Sequence, residues 1–210
     1  MRIPGRRYPL IAREGIPLVI ASFVLCWLVL KYAGALWVSL PALLTVVLIF
    51  IFRDPHRPVP AAPLGVVSPA DGEVVETGIA TDGVLQGEAQ RILIRVDAFG
   101  TYSARAPVEG KIRDLHQASK SRAGNYRTNA LWLQTDEGDD VVLQFLDYRW
   151  GIPPKSFANY GERLGQGARC AYLRLARFAE VHLPSASKVS VSPGQRVRAG
   201  SDLIGQLPRP

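Results

Sequence analysis

VVSPADGEVVET, at residues 66–77, sets the pattern for the larger part of this chain. The β-branched residues at 66–67 and 73–77 predict two short strands, because such side chains fit a pleated, half-buried surface. SPADG, at residues 68–72, combines the residue types that favour tight turns. Together these features predict a fold built from short strands that are joined by turns.

The same pattern continues through the rest of the chain. Further strand candidates, each β-branched or alternating and bounded by turn residues, are 91–96, 130–135, 141–146, 171–175, 179–183 and 203–207. DEGD, at residues 136–139, is a second clear turn. We therefore predict a compact, mainly β (α+β) domain over residues 65–210.

Near the C-terminus, VSPGQRVRAGSDLIG at residues 191–205 places a glycine turn on each side of Val197. Apolar residues alternate with polar ones in this stretch, which predicts a tight antiparallel hairpin. The pattern resembles the hairpin of biotinyl and lipoyl carrier domains. It lacks a modifiable lysine with a methionine beside it at the tip, so we predict a carrier-type hairpin without a carrier function.

Two apolar runs, at residues 16–30 and 35–52, precede the β-rich region and are separated by KYAG at 31–34. A helix needs about 20 residues to cross a bilayer core of about 30 Å. The sequence thus predicts an N-terminal transmembrane helical hairpin over residues 1–52, followed by a proline-rich linker over 53–64. A signal peptide cut near Gly34 and a buried soluble hairpin stay open as alternatives.

Positive charge flanks the two apolar runs. The flanking residues are Arg2, Arg6, Arg7 and Arg13 before the first run and Arg53 and Arg57 after the second. Only Lys31 lies between the runs. The positive-inside tendency then predicts an inner-membrane protein whose β-rich domain faces the cytoplasm.

The composition narrows the choice of partner. With 25 Lys and Arg against 18 Asp and Glu, the chain has a formal net charge of +7, which suits an anionic lipid surface or nucleic acid. The basic residues are spread out without an aromatic-interleaved patch, which argues against nucleic acid. Cys26 and Cys170 lack metal-ligand spacing and the three histidines are scattered, so we predict no metal site.

Four segments share one order along the chain: FRDPHRPVP at 52–60, VVSPADG at 66–72, RAPVEG at 105–110, and residues 174–184, which lead into the 191–205 stretch. Together with the apolar runs before them, they resemble the short, membrane-anchored phosphatidylserine decarboxylases. The resemblance implies a phosphatidylserine-decarboxylase-like β-rich domain.

The resemblance also implies a particular chemistry. Members of this family cut their own chain before an internal serine, which becomes a pyruvoyl group. That keto group forms a Schiff base with the amine of phosphatidylserine and draws electrons as CO2 leaves. An aspartate and a histidine assist the self-cleavage, as in a serine protease.

Residue by residue, the resemblance places the family aspartate at Asp71, the histidine at Tyr102 and the serine at Arg177, which follows Ala176 in place of a glycine. A phenol, with a pKa of about 10, is a poor base at neutral pH. A guanidinium neither attacks a carbonyl nor turns into a pyruvoyl group. We therefore expect no pyruvoyl cofactor and a non-catalytic homologue.

We expect Arg105 and Arg177 to contact a lipid headgroup, since guanidinium pairs well with phosphate and carboxylate. The expected partners are an anionic phospholipid and either another membrane protein or an active member of the same family. Two alternatives stay open. One is an active decarboxylase that makes phosphatidylethanolamine by an atypical route, and the other is a membrane-tethered adaptor that uses the carrier-type hairpin.

Overall fold

The structure is a computed structural model that describes residues 11–81, 87–120, 127–148, 154–173 and 175–208, without the side chains of residues 116–120 and 127–129. The chain divides into two compact units, Met1–His56 and Arg57–Pro210. Arg2, Arg6, Arg7 and Arg174, which belong to the charge pattern and the family resemblance, lie outside the described residues.

The first unit is helical. Helix α1 (Ile16–Ala33) is followed by a 3₁₀ turn (Ala35–Val38) and helix α2 (Ser39–Ile51). Gly34 ends α1 with a φ of +89°, and its amide donates to the carbonyl of Val29 at 3.1 Å. Small polar side chains lie where the helices meet, with Sγ of Cys26 3.7 Å from Oγ1 of Thr45.

The prediction of a transmembrane helical hairpin is wrong. No helix in the described part of the chain is both long enough and apolar enough to cross a membrane. Helix α1 has 18 residues and α2 has 13. At about 1.5 Å per residue they extend about 27 Å and about 20 Å, against a bilayer core of about 30 Å. The second apolar run is shortened because its first four residues form the 3₁₀ turn.

The second unit consists of short strands. In the described ranges they are β1 (Gly65–Val67), β2 (Gly72–Thr81), β3 (Glu88–Val96), β4 (Ser103–Arg105), β5 (Gly110–Lys120), β6 (Arg127–Gln134), β7 (Asp140–Tyr148), β8 (Lys155–Ser156), β9 (Arg163–Leu164), β10 (Arg169–Tyr172), β11 (Ala176–Pro184), β12 (Lys188–Val189), β13 (Arg196–Val197) and β14 (Leu203–Gln206). The prediction of a mainly β domain is confirmed.

One large sheet and two small ones organise these strands. The large sheet has the strand order β13-β2-β3-β11-β7-β6-β5-β9, and the small ones have the orders β1-β14-β12 and β4-β10-β8. Strand β11 lies in the interior of the large sheet, between β3 and β7. Residues 178–182 pair on both sides, whereas Ala176 pairs only with β7 and Pro184 only with β3.

Alternation along β11 separates the two faces of the sheet. Ala179, Val181 and Leu183 are buried in the hydrophobic core. Glu180 and His182 point to the opposite face, because successive side chains of a strand alternate, and both are buried as well. This second face of β11 is thus polar without being exposed to solvent.

The predicted carrier-type hairpin is wrong in its pairing. Gly194 and Gly200 do take positive φ values, +86° and +73°. Strand β13, however, pairs with β2 in the large sheet, whereas β14 pairs with β1 and β12 in a small sheet. A strand of two residues is too short to make a stable hairpin alone, so each strand is completed by the edge of a different sheet.

Replacing Gly72 by alanine should destabilise the second unit. An added Cβ would lie 2.0 Å from the carbonyl oxygen of Arg95 on β3, so β2 and β3 would have to move apart. We expect the free energy of unfolding to fall by about 1–3 kcal/mol, measured by urea denaturation with circular dichroism. Gly78→Ala in the same strand is the matched control, because nothing lies within 4 Å of its added Cβ. Equal losses in the two variants would contradict this explanation.

Candidate functional site

The turn at residues 68–72 is held from several sides. Within the turn, the Ser68 hydroxyl donates to the carbonyl of Ala70 at 2.7 Å. The amide of Gly200 donates to the carbonyl of Ser68 at 2.8 Å, and the amide of Arg105 donates to the carbonyl of Pro69 at 2.9 Å. The start of β2, the end of β4 and the C-terminal turn therefore meet at this point.

The Asp71 side chain is the centre of this junction. Its Oδ2 accepts hydrogen bonds from the amide and the hydroxyl of Thr101, at 2.8 and 2.9 Å, and its Oδ1 accepts one from the amide of Ala199 at 2.8 Å. The guanidinium of Arg57 donates to both oxygens, with Nη2 2.9 Å from Oδ2. Asp71 is only 7% exposed, so its carboxylate is buried and fully hydrogen-bonded.

These contacts set the ionisation of Asp71. Burial by itself would raise the pKa of the carboxyl group, because it removes the charged form from water. The hydrogen bonds from Arg57, Thr101 and Ala199, together with the charge of Arg57, outweigh burial and hold the pKa of Asp71 below its usual value. The charged form is therefore the one that the fold stabilises.

Tyr102 lies next to this network but does not join it as a base. Its hydroxyl donates to the carbonyl of Ala98 at 2.7 Å, and its ring centroid lies 6.3 Å from that of Tyr172. The phenolic proton is thus directed at a backbone oxygen. A donor in this arrangement is poorly suited to accept a proton from a nearby nucleophile.

Arg177 is the second residue of β11 and points outward. Its side chain is 53% exposed, whereas the preceding Ala176 is buried. Nη1 of Arg177 donates to Oδ2 of Asp147 at 3.0 Å. Asp147 has a φ of +51°, an uncommon backbone conformation for a residue other than glycine.

The structure connects the three predicted site positions through the backbone. Thr101, which donates to Asp71, immediately precedes Tyr102. The carbonyl of Tyr102 accepts the amide of Leu173 at 2.7 Å, and the carbonyl of Leu173 accepts the amide of Ala176 at 3.0 Å. Asp71, Tyr102 and Arg177 are therefore linked by a path that combines backbone hydrogen bonds with adjacent positions in the chain.

Arg105 lies inside the domain. It is 2% exposed, and its Nη1 donates to the carbonyl of Gly167 at 3.1 Å. Its Cδ lies where a side chain at Gly200 would be, 2.5 Å from an added Cβ. The contact of Arg105 with a headgroup stays a prediction, and the described contacts of its guanidinium are with the protein backbone.

Sequence reasoning missed two residues of this site. Arg57 belongs to the FRDPHRPVP segment, but its sequence context indicates only a flanking positive charge. Nothing in that motif identifies Asp71 as its partner, because the two residues are 14 positions apart and meet only in the folded chain. Asp147 has no comparable signal, because its contact with Arg177 depends on the pairing of β7 with β11.

Asp71→Asn should destabilise the protein at neutral pH. It should also make the free energy of unfolding depend less on pH in the acid range, because asparagine does not titrate. The pKa of Asp71 is lower in the folded state than in the unfolded state, where it is about 3.9. Its full contribution to the free energy of unfolding is therefore present at a pH above the unfolded pKa, and it is lost as pH falls through the folded pKa. We expect a loss of about 2–3 kcal/mol at pH 7, measured by urea unfolding across the acid range.

Asp136→Asn is the control for this prediction, since that carboxylate lies in an exposed turn, 62% accessible. We expect its free energy of unfolding at pH 7 to stay within about 0.5 kcal/mol of the parent protein. An Asp71→Asn protein as stable as the parent at pH 7 would show that the network does not stabilise the fold.

Comparison with known proteins identifies the family of this chain. A profile described as phosphatidylserine decarboxylase matches residues 44–205. The chain is 33% identical to the phosphatidylserine decarboxylase proenzyme of Nitrosomonas eutropha, with 95% of this chain and 96% of that protein aligned. It is 32% identical to that of Nitrosomonas europaea (99% and 100%) and 31% identical to that of Burkholderia lata (95% and 97%). No solved structure gives a significant match. The chain belongs to the phosphatidylserine decarboxylase family.

Proposed function

We propose that this chain is a non-catalytic member of the family that binds an anionic phospholipid through Arg177. The observation that carries the proposal is the exposed guanidinium of Arg177 at the position where the resemblance places the pyruvoyl-forming serine. A change from a hydroxyl to a permanent cation removes the nucleophile and leaves a group suited to phosphate and carboxylate.

The residues around Arg177 do not fit a pyruvoyl group. Self-cleavage needs a hydroxyl at this position and a base that takes its proton, but Arg177 has no hydroxyl and the phenol of Tyr102 donates to the carbonyl of Ala98. Ala176 replaces the glycine before the cut. These three differences support a chain that stays intact.

The surroundings of Arg177 support the binding of an anion. In the described part of the chain, its guanidinium contacts one carboxylate, that of Asp147, which is itself 30% exposed. Such an exposed pair contributes little stability, so a phosphate can replace Asp147 at low cost. The net charge of +7 adds a general attraction to anionic surfaces.

The first unit supports a location at a lipid surface. Large apolar side chains on its helices are exposed, among them Trp27 at 59% and Phe23 at 56%, and exposed apolar patches mark interaction surfaces. We place the protein at the cytoplasmic face of the inner membrane, where anionic lipids attract basic proteins. Another membrane protein or an active family member is the further partner that we propose.

Vesicle flotation tests the lipid site. We expect the full chain to float with vesicles that contain phosphatidylglycerol or phosphatidylserine more strongly than with phosphatidylcholine alone. Arg177→Gln should weaken this preference about fivefold, the effect of about 1 kcal/mol for one cation at the surface. Arg163→Gln is the matched control, because Arg163 is equally exposed, 51%, and ion-paired with Glu109 and Asp136. Equal effects of the two substitutions would show that binding depends only on net charge, and would contradict a specific site at Arg177.

Intact mass under denaturing conditions tests the loss of self-processing. We expect one species near 23.0 kDa, and Arg177→Ser alone should also stay intact, because Tyr102 remains a poor base and Ala176 still precedes the serine. The triple variant Ala176→Gly, Arg177→Ser, Tyr102→His restores all three family positions and serves as the comparison. Two fragments from the parent chain would revive the catalytic alternative, and their masses would identify the cut bond.

A further inference from the structure

A cleft of about 250 Å³ opens at one end of the large sheet. Three segments line it: Gly87 to Ala89 at the start of β3, Gly138 to Asp140 before and at the start of β7, and His182 to Pro184 at the end of β11. Arg177 lies near the other end of β11. The cleft is therefore separate from the site of the proposed lipid contact.

The charged side chains that line the cleft are all acidic. Glu88, Asp139 and Asp140 contribute them, and in the described ranges none of the three has an ion-pair partner. Oδ1 of Asp140 accepts only neutral donors, Nε1 of Trp132 at 2.8 Å and Nε2 of Gln134 at 3.1 Å. The chain as a whole has a net charge of +7, but the described lining of this cleft is negatively charged and includes no lysine or arginine side chain.

Burial and neighbouring carboxylates both act on Asp139. Burial raises the pKa of its carboxyl group, and the nearby charges of Glu137 and Asp140 raise it further. A cleft lined by one sign of charge concentrates counter-ions of the opposite sign. A cation in the cleft would relieve the repulsion.

The buried imidazole of His182 is a second, independent indication of a ligand. The residue is 4% exposed, it lines the cleft, and its Nδ1 has no hydrogen-bond partner among the described residues. Its Nε2 lies 3.5 Å from Oε1 of Glu180, and that same oxygen already accepts a hydrogen bond from Arg91. Buried polar groups without a partner are rare and indicate a missing ligand or water.

We propose that the cleft binds a short linear polyamine, a ligand with two or more ammonium groups joined by methylene chains. The ammonium groups match Glu88, Asp139 and Asp140, and the imidazole of His182 can accept a hydrogen bond from one of them. Methylene groups fit the apolar part of the lining, Ala89, Leu183 and Pro184. An organic cation suits this site better than a metal ion, because no three His, Cys, Asp or Glu residues in the described ranges are grouped closely enough to hold one.

Titration of the full chain with spermidine tests the proposal. The chain has three histidines, so ¹³C-labelled imidazoles give three resolved signals, and His182→Gln assigns the one that matters. We expect spermidine to shift the His182 signal in a saturable way while the signals of His56 and His116 stay in place. Magnesium chloride at the same ionic strength should leave the His182 signal unchanged.

A pair of double variants locates the binding groups. Glu88→Gln with Asp139→Asn should weaken spermidine binding at least about tenfold, since each removes one charge-assisted hydrogen bond. Glu109→Gln with Asp136→Asn removes the same charge from two carboxylates that are paired with Arg163, and should change the Kd by less than about twofold. No shift of His182, an equal shift with magnesium, or equal weakening in both double variants would each overturn the proposal.

Discussion

The buried carboxylate of Asp71 holds together parts of the chain that are distant in sequence. Its partners Arg57, Thr101 and Ala199 lie 14, 30 and 128 residues away. The proline-rich segment, the loop before β4 and the C-terminal turn all depend on this one side chain for their positions. The turn at 68–72, in which Asp71 lies, in turn anchors β2 at the edge of β3.

This arrangement gives Asp71, where the resemblance places the family aspartate, a structural role. Both oxygens of Asp71 are occupied by donors from the protein itself, and these donors stabilise its charged form. The side chains of Tyr102 and Arg177 do not join distant segments in the way that Asp71 does. Tyr102 contacts a local carbonyl and Arg177 points outward from the end of a strand, so substitutions there leave the sheet intact. The contacts of Asp71 thus stabilise the fold without the side chains of Tyr102 and Arg177.

The local patterns of the sequence predicted much of the β domain. Alternation at 179–183 indicated a half-buried strand, and the structure places β11 there, because the period of a strand is a local property. Pairing is not local, and the stretch at 191–205 shows the difference. Its glycine turns were predictable, but β13 pairs with β2 and β14 pairs with β1, and both of these partners lie more than a hundred residues earlier in the chain.

Sequence patterns also failed to predict one feature of the helical segment and two contacts in the site. Hydropathy identified the apolar runs of the first unit but not the 3₁₀ turn that divides the second run, which depends on how the chain reverses at Gly34. In the site, matching motifs assigned the family positions to Asp71, Tyr102 and Arg177, and these assignments stay predictions. Motifs could not reveal that Arg57 is the ion-pair partner of Asp71 or that Asp147 contacts Arg177, because both pairs form only when separate segments are brought together.

Strand β13 belongs to the large sheet and β14 to a small sheet. This limits how early in synthesis the two sheets can be completed. Synthesis proceeds from the N-terminus, so β13 and β14 are made after their partners β2 and β1. The Ala199 amide that donates to Asp71 is also made in this late stretch. Contacts of such long sequence separation form slowly. Before β13 and β14 are synthesised, β1 lacks its partner strand in the small sheet and β2 is paired only with β3. Such unpaired edges are prone to aggregation. The β-rich unit can therefore complete its native pairing only after its C-terminal strands have been synthesised.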